Sequence, residues 1–244
     1  MTEFTMTLAG VPLRVQALWP QTQRYCSDYL SDGEPRETLT LTQALIDAER
    51  AIAARDAQPA AQFSDAYLEL LALHRLAASV LLRYGAVVFH GSVLAVDGLA
   101  YLFTAPSGTG KTTHSRLWLS EVPGAHILNG DKPLILVRDG RIFACGTPWR
   151  GKERYGVNET LPLAAICQLE RSDTNHIEPI TLHDALPMLI QQTHRPPEQA
   201  LLVRTLELLG QIGQGVRLYR LGCNMDPEAA RVSWAGMRER SGNG

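Results

Sequence analysis

The sequence predicts an α/β fold built on a mixed β-sheet. Helical and strand-like patterns alternate along most of the chain, which is typical of α/β proteins. Two Asp-Gly dipeptides, at 97–98 and 139–140, each separate two β-rich segments, as in a tight antiparallel hairpin. A glycine-rich loop at 105–112 stands between a strand-like and a helical segment. Hairpins pair antiparallel, so the sheet is expected to be mixed rather than purely parallel.

The first sixty residues predict a small β-rich N-terminal region. Val11–Val15 and Thr38–Thr42 have strand-like composition, with a turn-rich stretch between them. Leu45–Arg55 has two interpretations, a short helix or an irregular excursion, and Pro59 marks its expected end. We therefore predict a region 1–60 followed by a larger domain 61–244, with one continuous domain as the alternative.

The segment from Ser64 to Tyr84 predicts a buried helix. Ser64 is a favourable N-cap residue, and Asp65 suits the positive end of a helix. Apolar residues occupy nearly every side of the segment, and a helix that is apolar all round is buried. Gly85 marks its expected end.

The second half of the chain predicts two hairpins, two further strands and three helices. The hairpins pair Val87–Val96 with Leu99–Thr104, and Leu134–Val137 with Ile142–Cys145. Strands are expected at Leu163–Leu169 and Val216–Leu221, and helices at Thr113–Ser120, at Glu198–Leu209 with Gly210 as its stop, and from Asp226 onward.

Composition predicts a globular cytoplasmic protein with no nucleic-acid or membrane partner. Hydrophobic residues make up 45% and charged residues 20%, which is ordinary for a globular domain. The net charge of −2 offers no basic excess to nucleic acid or an anionic membrane. No apolar stretch approaches the roughly 18 residues of a membrane span, and the N-terminus lacks a secretory pattern. The four cysteines are far apart, so we expect buried reduced thiols rather than a zinc or disulfide framework.

Residues 105–112 match a phosphate-binding loop with alanine at the first glycine position. The glycines let backbone N–H groups point at an anion, and the following helix directs its positive end to the same place. Lys111 is expected to reach the β- and γ-phosphates, and Thr112 to offer its hydroxyl to Mg²⁺. The predicted cofactors are therefore ATP and Mg²⁺. The expected nucleotide-binding residues are Ser107, Gly108, Thr109, Gly110, Lys111, Thr112 and Thr113.

Asp131 is the predicted carboxylate for the metal. It follows a short apolar segment and falls where the next strand should end, beside the glycine-rich loop. We interpret Asp131 as a ligand of Mg²⁺, directly or through water, with removal of the acceptor's proton as a further option. The alternative is a turn aspartate.

A basic, glycine-flanked loop at 146–156 is the other candidate element. Arg150, Lys152 and Arg154 follow Trp149 in it. We predict that the loop is mobile without nucleotide and closes over the γ-phosphate, where Arg150 and Lys152 stabilise the transferred group. Trp149 is interpreted as a wall for adenine or for the acceptor. The alternative is a solvated loop with a packed tryptophan.

Several of these stretches together resemble the HPr kinase/phosphorylase family. They are Phe89-His90-Gly91-Ser92, the hairpin at 97–98, the loop at 105–112 and Asp131. The loop is also similar to that of phosphoenolpyruvate carboxykinases, but 244 residues leave little room for an oxaloacetate-binding domain. The stretches 146–152 and 166–171 are similar to those of short HPr-kinase-like proteins of bacteria, and the resemblance covers roughly residues 85–235.

The resemblance implies a serine-kinase-like fold around ATP and Mg²⁺. It carries over the roles of Lys111 and Thr112, and it makes His90 the histidine that faces the phosphates. The family usually has two adjacent acids where this chain has Gly130-Asp131, and its catalytic base is normally the first of them. Three alternatives follow: Asp131 does both jobs, His90 assists it, or phosphotransfer is lost.

The predicted function is an ATP- and Mg²⁺-dependent kinase that phosphorylates a hydroxyl of a peptide, protein or small molecule. The candidate catalytic residues are Asp131, His90, Arg150 and Lys152. The alternative is a nucleotide-binding regulatory or accessory protein without phosphotransfer, which Gly130 favours. The sequence leaves open the acceptor, the reversibility and the oligomeric state, a homo-oligomer included.

Overall fold

A computed structural model describes residues 1–55 and 63–238 of the chain. The chain separates into two compact units, Met1–Tyr84 and Gly85–Gly244. This division comes later than the predicted boundary at residues 60 and 61. The long helix Asp65–Leu81 packs against the helices and a strand of the first unit, and so belongs to it. The predicted stop of the preceding helix at Pro59 lies outside the described residues.

Within its described residues the first unit has three strands and three α-helices. They are β1 (Thr2–Leu8), β2 (Val11–Ala17), β3 (Glu37–Thr40), α1 (Pro20–Tyr25), α2 (Gln43–Arg55) and α3 (Asp65–Leu81). The strand β1 pairs antiparallel with β2, and β3 pairs parallel with β2. The predicted strands correspond to β2 and β3, and the helix option at 45–55 is confirmed as α2, whereas β1 had not been predicted.

A buried carboxylate joins two helices of this unit. Glu69 on α3 is fully buried, and it accepts hydrogen bonds from Leu18 N at 2.6 Å, Trp19 N at 3.3 Å and the hydroxyl of Thr22. Leu18 and Trp19 lie just before α1 and Thr22 lies within it, so Glu69 fixes the amino end of α1 against α3. The N-cap prediction for α3 is also confirmed, because the Ser64 side chain accepts from Tyr67 N.

As far as residue 238, the second unit is a nine-stranded mixed sheet with four α-helices. Its strands are β4 (Ala86–Val88), β5 (Ser92–Val96), β6 (Leu99–Thr104), β7 (His126–Asn129), β8 (Leu134–Arg138), β9 (Arg141–Cys145), β10 (Thr160–Arg171), β11 (His176–Pro179) and β12 (Arg217–Cys223). The helices are α4 (Lys111–Glu121), α5 (Leu182–Gln192), α6 (Gln199–Gly215) and α7 (Glu228–Arg238). The predicted α/β class and mixed sheet are confirmed.

The two predicted hairpins form as β5–β6 and β8–β9. In both turns aspartate and glycine have positive φ, +53° and +74° at 97–98 and +52° and +70° at 139–140. The predicted strand Val87–Val96 is wrong as one element, because the chain leaves the sheet at Phe89–Gly91 and re-enters as β5. A Cβ on Gly91 would lie 2.8 Å from Phe103 O, so only glycine allows this close passage.

Several strands end along one edge of this sheet, next to the segments that carry the predicted site residues. The strand β10 runs parallel to both β6 and β12, while β5 is antiparallel to β6 and to β7. The ends of β12, β10, β6 and β7 therefore lie along a single edge, with the start of β5 between β6 and β7. We name it the functional edge.

The helices cover the sheet through apolar contacts. α4 packs with α7, and Trp118 on α4 is fully buried beside Tyr101 and Trp234, with ring centroids 5.5 Å away in each case. α6 packs with α5 and continues through Gly210 to Gly215, so the predicted stop at Gly210 is wrong. Within the described residues no helix is both long and apolar enough to cross a membrane.

Candidate functional site

The glycine-rich loop links β6 to α4 at the middle of the functional edge. Gly108 and Gly110 have φ of +79° and +124°, in the region that side chains disfavour. A Cβ at either position would meet no atom within 4 Å, so the loop needs glycine for its conformation and not for space. Ser107, Thr112 and Thr113 are exposed around it.

The loop and helix form a cradle for an anion. The N-cap residue of α4 is Gly110, which has no side chain to bind the first amides of the helix. Lys111 folds back over the loop, and its Nζ donates to Ala105 O at 2.8 Å. Burial lowers the pKa of Lys111, and nearby Asp131 opposes that shift. A positive side chain and the amino end of α4 therefore meet at one place, an arrangement that favours an anion.

His90 and Asp131 form a pair beside this cradle. His90 Nε2 lies 3.5 Å from Asp131 Oδ1, and both side chains are about one-third exposed, at 30% and 34%. The backbone holds them there, because Gly91 N donates to Asp131 O at 3.0 Å and His90 N donates to Gln192 O at 2.7 Å. The two predicted residues, on separate chain segments, are thus brought into contact.

Burial and two neighbouring lysines favour the neutral form of the His90 imidazole. Desolvation lowers the pKa of His90, and the positive charges of Lys132 and Lys111 lower it further, while Asp131 raises it. The net direction is downward from 6.5, so His90 is neutral at pH 7. A neutral imidazole next to a carboxylate is able to accept a proton.

Lys132 is a site residue that the sequence analysis missed. Burial lowers its pKa, and the Asp131 carboxylate raises it, as expected for a partly buried cation beside an acid. Its backbone N donates to Trp149 O at 3.1 Å, which fixes its position. The available signal was a lysine next to the predicted metal ligand, immediately before a proline.

Asn129 shapes the turn that presents Asp131. It is fully buried, and its Oδ1 accepts from Asp131 N at 3.0 Å and from Lys132 N at 2.8 Å. Its Nδ2 donates to Thr147 Oγ1 at 3.0 Å, which joins the turn to the start of the basic loop. This residue was also missed, since an asparagine before a glycine is typical of an ordinary turn.

The basic loop lies directly against this turn. Gly130 N donates to Tyr155 O at 3.0 Å, and a Cβ on Gly151 would come within 3.0 Å of Asp131 Cβ. Arg150 and Lys152 flank Gly151 in the chain; Arg150 is half-buried and Lys152 is exposed. Closure over a γ-phosphate stays a prediction.

Trp149 is a packed residue of the basic loop. Its side chain is only 6% exposed, which leaves little ring surface for a ligand to stack on. The alternative of a packed tryptophan therefore holds, and the predicted wall for adenine or the acceptor does not.

Gly130 occupies a tight position. A Cβ there would lie 3.1 Å from Arg150 O and 3.3 Å from Tyr155 O. An acid at this position therefore requires the backbone of the basic loop to move by a few tenths of an ångström. Glycine at position 130 therefore allows the basic loop to lie this close to the turn.

Thr112 and Asp131 suit Mg²⁺ as ligands. A hydroxyl and a carboxylate are hard oxygen donors, and both lie next to the phosphate cradle. No cluster of three or more His, Cys, Asp or Glu side chains that could hold a metal occurs among residues 1–55 and 63–238. These two residues would therefore hold Mg²⁺ together with phosphate oxygens and water, which is how Mg²⁺ usually binds.

Comparisons with known proteins give a structural similarity but no sequence match. No protein-family model and no curated protein matches the chain. The solved structure of the HPr(Ser) kinase/phosphatase from Coxiella burnetii is similar with a TM-score of 0.37 and 10% identity, over 61% of this chain and 95% of that one. A similarity at this level carries no argument about function, and the family resemblance of the motifs stays a prediction.

Proposed function

We propose that this protein is an ATP- and Mg²⁺-dependent phosphotransferase that transfers the γ-phosphoryl group to a hydroxyl of a peptide, protein or small molecule. One observation carries the proposal. The phosphate cradle with Lys111 and the His90–Asp131 pair lie side by side on the functional edge, within electrostatic reach of each other.

The chain's residues divide the chemistry between them. Loop amides and Lys111 hold the phosphates, and Lys132 adds positive charge where negative charge spreads in the transition state. The acceptor oxygen bonds to the γ-phosphorus as the bond from that phosphorus to the ADP oxygen breaks. The hydroxyl proton goes to His90 Nε2 or to the Asp131 carboxylate, and ADP is released. Bound Mg²⁺ supplies charge neutralisation on the phosphate oxygens.

A second candidate is a nucleotide-binding regulatory protein without phosphotransfer. Gly130 favours it, because this position lacks the acid that the resembled family uses as its base, and a side chain there would crowd Arg150 O. Asp131 then helps to bind the nucleotide and has no role in proton removal.

Turnover separates the two candidates. The protein is incubated with ATP, Mg²⁺ and panels of hydroxyl peptides and metabolites, and phosphorylated products are sought by mass spectrometry. A phosphorylated product whose formation is lost in Asp131→Asn supports the kinase. Tight ATP binding with no product from any panel supports the regulatory protein. Failure to bind ATP at all would refute both.

A further inference from the structure

A cavity of about 600 Å³ opens on the other side of the glycine-rich loop from His90 and Asp131. Residues of the loop and of α4 form one wall, and the ends of β10 and β12 with the segments that follow them form the other. This volume lies within the range of roughly 300–1,000 Å³ that is typical of small-molecule sites. No sequence motif had pointed to it.

The far wall of the cavity is held by hydrogen bonds. Asn224 Nδ2 donates to Asp173 O at 3.3 Å, and Asn224 N donates to Asn175 Oδ1 at 3.0 Å. These bonds join the segment after β12 to the segment after β10. The cavity is therefore largely formed before any ligand arrives, as binding sites usually are.

Arg171 connects this wall to the phosphate loop. It stands at the end of β10, and its guanidinium donates to Gly108 O at 2.7 Å. The bond fixes one peptide of the loop from the cavity side. A ligand in the cavity therefore contacts the same loop that would hold phosphates on its inner face.

A buried histidine offers an acceptor at the base of the cavity. His114 lines it and is 3% exposed. Ser233 Oγ donates to Ala230 O at 3.0 Å, so at the 3.2 Å contact His114 Nε2 is the donor to Ser233. Burial lowers the pKa of His114 to about 4, so the ring is neutral, and with its one proton on Nε2 the Nδ1 atom is an acceptor. Among residues 1–55 and 63–238, Nδ1 has no hydrogen-bond partner.

The charge of the cavity does not suit a phosphate. Among the described residues, its charged lining consists of Arg171, which is engaged with Gly108 O, and the exposed carboxylate of Asp173. Leu169, Cys223 and Met225 add apolar surface. Such a lining fits a neutral, partly apolar group that carries hydrogen-bond donors.

We propose that this cavity binds the nucleoside part of the nucleotide, while the acceptor hydroxyl approaches from the side of His90 and Asp131. The inference rests on the proposed function, since it presumes that phosphates occupy the loop. The order of strand ends along the functional edge carries it: the cavity lies at β12 and β10, the loop at β6, and His90 and Asp131 at β5 and β7. Phosphates in the loop, with the terminal one towards Asp131, direct the nucleoside into the cavity.

Two ligands that differ only in the nucleoside test this inference. Calorimetry compares ATP with inorganic tripolyphosphate, both with Mg²⁺, for the wild type and the double variant Asp173→Ala/Met225→Ala. Both residues are exposed, so the fold should tolerate the change. We expect the wild type to bind ATP about tenfold more tightly than tripolyphosphate. The double variant should lose most of that preference and keep its tripolyphosphate affinity within about twofold.

The controls separate the failure of this inference from that of the proposed function. Lys111→Met should weaken the binding of both ATP and tripolyphosphate. Glu207 is an exposed acid on α6, and Glu207→Ala should change the affinity for neither ligand. The nucleoside site alone is overturned if the wild type binds ATP and tripolyphosphate with equal affinity. It is also overturned if the double variant loses affinity for both ligands to the same extent. A wild type that binds neither ligand overturns both proposals.

Photolabelling locates the bound adenine ring directly. Azido-ATP that is activated on the bound protein should label peptides containing 169–173 or 223–225. Labelling confined to the segments around residues 90 and 131 would overturn the assignment.

Discussion

Individual side chains at the functional edge have separable roles. Lys111 contributes charge to the cradle, Asp131 raises the pKa of His90 against burial and two lysines, and Asn129 holds the turn that carries Asp131. Replacing each of these residues should therefore change a different measurable property of the site.

Replacing Lys111 with methionine should weaken ATP binding without unfolding the protein. The side chain brings a positive charge to the cradle, and a hydrogen bond to a charged group contributes about 1.5–3 kcal/mol, which is roughly ten- to a hundredfold in affinity. Calorimetry measures the affinity, and thermal unfolding checks the fold. Arg138→Met, which removes an exposed positive charge at a hairpin, is the matched control. Unchanged ATP affinity in Lys111→Met would refute the role.

Replacing Asp131 with asparagine should lower the pKa of His90. Asp131 is a negative charge that raises this pKa against burial and two lysines, so its removal strengthens the net downward shift. NMR titration of the His90 ring measures the shift directly, whether or not the variant turns over. In the wild type, any activity that needs neutral His90 should be constant at pH 7 and above and fall on acidification below 6.5. An unchanged or higher His90 pKa in Asp131→Asn would contradict the pairing.

At the scale of elements, α6 shows how a tertiary contact changes the effect of a glycine. Gly210 and Gly213 both lie inside the helix, where glycine usually costs stability. A Cβ on Gly210 would meet nothing within 4 Å, whereas a Cβ on Gly213 would lie 2.2 Å from Leu182 Cδ1. Gly213 thus lets α5 approach α6 closely.

Alanine at these two positions should therefore have unequal effects. Gly210→Ala should raise the free energy of unfolding by about 0.5–1 kcal/mol, because alanine loses less entropy in a helix. Gly213→Ala makes the same gain but must displace Leu182, and should be the less stable of the two variants. Urea unfolding of the pair measures the difference. Equal stability would mean that Leu182 moves at no cost.

At the scale of the whole molecule, the loop, the turn and the cavity belong to one compact unit, Gly85–Gly244. Binding at this edge should therefore stabilise that unit as a whole. ATP with Mg²⁺ at a hundredfold excess over its Kd should add about 2.7 kcal/mol. For a unit of this size that corresponds to a rise of about 5–10 °C in Tm. Scanning calorimetry with and without ATP tests this, and a similar rise in Lys111→Met would show binding elsewhere.

Local signals in the sequence predicted much of the second unit. Asp-Gly turns predicted both hairpins, and the spacing of Gly108, Gly110 and Lys111 predicted the loop between β6 and α4. These predictions succeeded because glycine's positive φ and turn preferences act within a few residues of the chain. The same locality explains the error at Gly210, because the helix continues to Gly215 and buries Ile212 and Gly213 in tertiary packing that a single glycine does not reveal.

By itself the sequence determined the fold class, the two hairpins, the glycine-rich loop between a strand and a helix, and Asp131 as a candidate, while the family resemblance added His90. Only the tertiary structure decided that these two lie 3.5 Å apart, that Lys132 and Asn129 belong with them, and that a cavity opens across the loop. The physical reason is strand order. Which ends meet at the functional edge depends on pairing between β5, β6, β7, β10 and β12, and the side chains that settle this pairing are far apart in the chain.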